Sequence, residues 1–215
     1  MDTKIDQFCQ KLESMVKEIS IGGLGFSTEL LDGSTTLLTT IFRTALKRYA
    51  SDPECWKILE RITAKAEQQP LQEVFTLSTE DDIRILSKFA ESFYNEGEPQ
   101  IAAQLFQFLT LFCPGGSPHP ITYMYLAESI SELSIDTGLR IYDFILNIFP
   151  DYPAILLAAA KRYNEGERPK RALRLLEHAK EVCEYNAETD PALKEFLTLL
   201  NPELEKIQQE IHPKE

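Results

Sequence analysis

Basic residues are scarce in this chain: 22 Lys and Arg stand against 34 Asp and Glu, a net charge of -12 over 215 residues. Such a surface repels a phosphate backbone, which argues against nucleic-acid binding, and it disfavours an anionic membrane surface for the same reason. Long apolar runs are missing as well. The longest strictly apolar stretch, ending at Ala160, is far too short to span a bilayer, so no membrane insertion is expected. The start, Met1-Asp2-Thr3-Lys4-Ile5-Asp6, places acids where a secretory signal is basic and then apolar. Cysteine is sparse and scattered, at positions 9, 55, 113 and 183. That fits neither a disulfide framework nor a zinc cluster and reads as reduced, mostly buried thiols. Together these absences predict a water-soluble cytoplasmic protein.

The groups that carry catalysis are also few. The three histidines are His119, His178 and His212. His178 and Cys183, five apart on a helical segment, point to different faces, so no metal site is expected. Cys113 and His119 share a loop, but no third group in the sequence orients such a pair. Gly22-Gly23-Leu24-Gly25 lacks both the dinucleotide spacing and the Lys-Ser/Thr of a phosphate loop, and reads as a connector. The expectation is a protein that is not an enzyme and takes no cofactor.

What the chain has in plenty is helical periodicity. Ile5, Phe8, Cys9, Leu12, Met15, Val16 and Ile19 fall on one helix face. Asp32-Gly33-Ser34-Thr35 offers cap chemistry for a second helix running to about Ala50. Asp52-Pro53 opens a third, through Trp56, Ile58 and Leu59, ending near Pro70. No segment alternates as a β-strand does, so the class is all-α. Charge and aromatics are uneven: residues 79–150 hold 3 basic and 10 acidic residues but 11 of the 21 aromatics. That middle is built differently from its flanks, and the division expected is an N-terminal helical region over 1–78 followed by a second domain over 79–215.

A repeat organises the second part. Tyr94-Asn95-Glu96-Gly97-Glu98 recurs as Tyr163-Asn164-Glu165-Gly166-Glu167, 69 residues later. That is close to twice the period of about 34 residues shown by one class of helix–turn–helix repeat. In the first copy Leu86, Phe89, Ala90 and Phe93 precede Ala102, Phe106 and Pro114. The second copy has Tyr123, Leu126, Ala127 and Ile130, a tight turn near Ser134 to Gly138, then Tyr142 and Pro150. The third has Ile155, Ala158 and Ala159, a turn at Gly166, one inserted residue, then Ala172, Leu176 and Ala179. Small residues let paired helices approach, and Gly97 and Gly166 can take positive φ where the chain reverses. Pro191 opens a further helix that would cap the open end of the stack. The competing reading is an antiparallel helical bundle with one duplicated turn.

These positions resemble the tetratricopeptide repeat family over roughly residues 83–184. The resemblance implies a solenoid of about three helical hairpins whose first helices line a concave groove for a peptide or partner helix. The implied groove positions are Ser87, Glu91, Tyr94 and Asn95 in the first copy; Ile121, Met124 and Glu128 in the second; and Leu156, Ala160, Tyr163 and Asn164 in the third. Tyr offers rigid contact area with a polar tip, and Asn can hold a peptide backbone through donor and acceptor together. Alternatively, the two Tyr pack the next repeat and the two Asn serve only the helix ends. Arg84 and Lys88 are the only bases on the first helices of copies one and two, so an acidic tail is a poor partner and an apolar or basic one fits better.

Phe93-Tyr94, Gly97, Ala102, Phe106-Gln107 and the junction Cys113-Pro114-Gly115-Gly116 resemble the tetratricopeptide chaperones of bacterial type III secretion. Two departures are the long N-terminal part and the absence of the usual Gly at Ala127. The resemblance implies a bacterial, cytoplasmic chaperone that shields an apolar or amphipathic segment of a secreted protein, with a homodimer through the N-terminal helix as one use of its apolar stripe. The alternative is a scaffold or adaptor holding a folded partner within a larger assembly.

Overall fold

A computed structural model of the chain describes residues 35–66, 75, 78–112 and 117–211, together with residues 6, 7 and 10. The expected N-terminal stripe from Ile5 to Ile19, the Gly22-Gly23-Leu24-Gly25 connector, Asp32 to Ser34, Cys113, the loop Pro114 to Gly116 and His212 lie outside the described residues. Among the described residues there are nine helices and no strand. They are α1 (Thr35–Tyr49), α2 (Pro53–Ala66), α3 (Glu80–Asn95), α4 (Pro99–Leu109), α5 (Pro120–Leu133), α6 (Ile135–Ile148), α7 (Pro153–Glu165), α8 (Pro169–Asn186) and α9 (Pro191–Ile211). Six of them begin at proline, whose fixed φ suits a first turn and whose missing N–H costs nothing there. The expected hairpins correspond to α3–α4, α5–α6 and α7–α8, with α9 closing the series.

The chain divides into two compact units, Met1–Ser129 and Ile130–Glu215. In the first, α1 packs on α4, α2 on α3, and α3 on α4. An aromatic cluster joins them: Tyr49 lies 5.4 Å from Phe89 and 5.9 Å from Phe108, and Phe42 packs edge-on to Phe108. Tyr49 has no exposed surface, and its hydroxyl donates to the Leu105 carbonyl at 3.3 Å, which lets a polar tip enter the core. Arg61 of α2 pairs with the buried carboxylate of Asp82 on α3. The two helices before residue 79 therefore share the core of the first repeat. Helix α3 starts with a capping box, in which Thr79 Oγ1 accepts from the Asp82 N–H and Asp82 accepts from the Thr79 N–H.

In the second unit α6 packs on α7, α7 on α8, and α8 on α9. Ala159, Ala160, Ala172 and Ala179 are fully buried where these helices approach. The turn expected from Ser134 to Gly138 is shorter than that. Ser134 caps α6, its Oγ accepting from the Thr137 N–H, and Gly138 lies inside the helix. A Cβ at Gly138 would fall 2.0 Å from Ser131 Oγ, so glycine is there to let α5 and α6 touch. Gly138 and Tyr142 thus stand in the second copy where Ala102 and Phe106 stand in the first.

Candidate functional site

Two of the groove positions expected on α3 and α5, Tyr94 and Glu128, meet within the first unit. Ser87, Glu91 and Tyr94 follow the i, i+4, i+7 spacing of one helix stripe. Tyr94 Oη donates to Glu128 Oε2 on α5 at 3.3 Å, across a separation of 34 residues. The same step takes Glu91 to Tyr125, and the charges of Glu91 and Glu128 both bear on the Tyr125 hydroxyl. The register of these two helices at the site is therefore the 34-residue period itself. Tyr125 is held flat on Phe106, with ring centroids 5.2 Å apart, and Tyr94 meets it edge-on at 6.2 Å. Burial raises the Tyr125 hydroxyl first, and the two carboxylates push it further. Burial likewise raises the Glu91 carboxyl, against the opposing charge of Lys88.

Exposure divides the expected groove residues. Glu91, Tyr94, Asn95, Ile121, Met124, Glu128 and Asn164 keep exposed area, whereas Ser87, Leu156, Ala160 and Tyr163 are buried. Tyr163 has no exposed surface at all. Its hydroxyl donates to Asp143 on α6, and the Arg171 guanidinium, paired with the same carboxylate, lies over its ring at 4.6 Å. Burial, followed by the Asp143 contact, raises that hydroxyl far above the ordinary tyrosine range. Asn164 Nδ2 donates to Glu210 Oε2 of α9 at 3.0 Å, and Lys161 pairs with Glu203 of the same helix at 3.4 Å.

The helix ends explain why the two tyrosines differ. After α3, the Glu98 N–H bonds the Phe93 carbonyl and the Gly97 N–H bonds that of Tyr94. After α7, the Arg168 N–H bonds the Tyr163 carbonyl and the Glu167 N–H bonds that of Asn164. Both ends are Schellman motifs, and matching them pairs Phe93 with Tyr163 and Tyr94 with Asn164. The repeated pentapeptide is thus offset by one residue from the structural repeat. The left-handed position belongs to Gly97 at φ 79° in one copy and to Glu167 at φ 58° in the other, so Gly166 does not take the positive φ expected of it.

Sequence reasoning passed over Tyr125, although the period counted from Glu91 reaches it, and it passed over Asp143 and Arg171, which no local pattern connects. Among the described residues each histidine lies beside a carboxylate: His119 Nε2 is 3.3 Å from Glu80 and His178 Nε2 is 2.9 Å from Asp151. No described group of three or more His, Cys, Asp and Glu could hold a metal ion, and no described helix is long and apolar enough to cross a membrane.

Comparison with solved structures bears on the fold. PcrH from Pseudomonas aeruginosa superposes at a TM-score of 0.50 with 17% identity, over 61% of this chain and 95% of PcrH. A type III secretion complex from Aeromonas hydrophila matches at 0.50 with 16% identity, over 63% of this chain and 87% of that one. The type III secretion translocator chaperone SycD from Yersinia enterocolitica gives 0.49 with 18% identity, over 66% and 94%. The fold is a tetratricopeptide-like helical array. No protein-family model and no curated protein sequence matches the chain.

Proposed function

We propose that the chain is a non-catalytic binding protein that keeps an apolar or amphipathic segment of a secreted protein soluble in a bacterial cytoplasm before export. The observation that carries this reading is the fold shared with PcrH and with the Aeromonas type III secretion complex. The client segment lies along α3 and α5, where Tyr94, Ile121 and Met124 offer apolar area beside the carboxylates of Glu91 and Glu128, with Asn95 exposed at the end of α3. The charge of -12 keeps chaperone and cargo dispersed. A homodimer through the N-terminal stripe belongs to the same reading.

The test compares wild type with a Tyr94→Ala/Met124→Ala variant whose circular dichroism and melting match wild type. Wild type should capture from the source cells a protein that precipitates when expressed alone and stays soluble when co-expressed. Truncating two anchors should weaken that capture by about tenfold or more. Equal capture by both proteins removes the binding surface from α3 and α5. A captured partner that is soluble by itself replaces the chaperone reading with the scaffold one.

A further inference from the structure

The second unit holds an arginine in a setting built from a tyrosine and a carboxylate: Tyr163 donates to Asp143, and Arg171 pairs with Asp143 while lying over the Tyr163 ring. In the first unit another tyrosine meets a carboxylate, Tyr94 donating to Glu128, on a surface that keeps exposed area. Beside it stands Glu91, half-buried and, among the described residues, without a hydrogen bond or ion pair. Lys88, one turn before it, is exposed and acts on it through charge. A carboxylate withdrawn from water without a partner is costly, and a cation brought to it recovers that cost.

An independent sign comes from Ser87. Its hydroxyl is buried without a hydrogen-bond partner, one turn before Glu91 on the same stripe. Other hydroxyls in these helices bond the carbonyl a turn back, as Ser92 does to Phe89 and Ser129 to Tyr125, both at 2.8 Å. Ser87 leaves that outlet unused, so its oxygen lacks the partner a buried hydroxyl ordinarily has. Tyr125, fixed against Phe106, adds a ring edge-on to Tyr94, and tyrosine faces attract guanidinium and ammonium groups.

We infer that Glu91, Glu128, Tyr94 and Tyr125, with Ser87 one turn before Glu91, form a receptor for the cationic side chain, Arg or Lys, of a bound protein segment. The inference rests on the partner-binding reading above and deepens it: the client's apolar stretch carries a base where it crosses α3 and α5.

The probe is a pair of fluorescent valine- and leucine-rich peptides of about nine residues, identical except for a central arginine or its neutral isostere citrulline. Fluorescence anisotropy measures each against the full chain. The arginine peptide should bind about tenfold tighter. Glu91→Gln should bring it down to the citrulline level, and Glu96→Gln, which removes an equal charge from the neighbouring turn, should keep the preference. Equal binding of the two peptides overturns the receptor and leaves the groove standing. So does a preference that survives Glu91→Gln, or one that Glu96→Gln abolishes equally. Binding of neither peptide overturns the groove reading, and the receptor with it.

Discussion

A methyl group added at Gly138 would lie 2.0 Å from Ser131 Oγ and 2.7 Å from Ser131 Cα. The second distance is to backbone, so no rotamer change relieves it. At Gly166 the corresponding contact is the tip of the Leu139 side chain at 2.9 Å, which can turn away. Gly138→Ala should therefore lower stability by about 3 kcal/mol, and Gly166→Ala by clearly less, read as the shift in denaturation midpoint at unchanged slope. Equal losses would mean that the α5–α6 crossing yields as readily as a side chain. In the sequence, Gly138 looks like a turn residue because glycine so often marks turns. Its packing role was legible only from the four-residue spacing to Tyr142, the same as Ala102 to Phe106. The burial of Tyr163 was less legible still, since Asp143 and Arg171 come to it from helices on either side in the chain.

At the scale of elements, α3 is anchored at its first turn. Burial pushes the Asp82 carboxyl up, but the Arg61 guanidinium and the Thr79 N–H more than offset this and leave it below the usual range. A carboxyl lowered in the folded state contributes stability that is fully present above its unfolded value of about 4 and is lost as pH falls through the lower folded value. Acid should thus loosen α3, and the difference in stability between wild type and Asp82→Asn should shrink steadily from about pH 5 downward. At neutral pH that substitution should cost about 2 kcal/mol in a denaturant titration. A gap that stays constant with pH would show that the capping box contributes through shape rather than charge. Helix starts were readable because Pro53, Pro99, Pro120, Pro153, Pro169 and Pro191 each stand at one. Helix ends were harder: the Glu-Gly-Glu tripeptide closes both α3 and α7, yet φ turns positive at its glycine in one and at its second glutamate in the other.

For the molecule as a whole, each compact unit contains a buried thiol, Cys55 in one and Cys183 in the other. Burial, with Asp52 close by, raises Cys55 to about 12, and burial raises Cys183 in the same direction. Thiols held protonated react slowly with alkylating reagents. In a Cys9→Ser/Cys113→Ser chain at pH 8, both should resist iodoacetamide until denaturant opens the unit that holds them, so labelling of each follows the unfolding of its own unit. Rapid labelling of either in native buffer would show that its unit opens without denaturant. The architecture was legible because a helical hairpin array asks only for small residues at crossings and apolar stripes between them. Many sequences supply those, which is how 17% identity accompanies a shared fold. The binding surface is written less plainly, because the same stripe spacing places Tyr94 at the surface of one unit and Tyr163 in the core of the other.

That offset of one residue also sets what each copy is free to become. Tyr94 keeps exposed area, and its partners Glu128 and Tyr125 both lie on one neighbouring helix. Tyr163 is bound to Asp143 and Arg171 on two other helices. A change at Tyr163 therefore disturbs contacts with both of those helices.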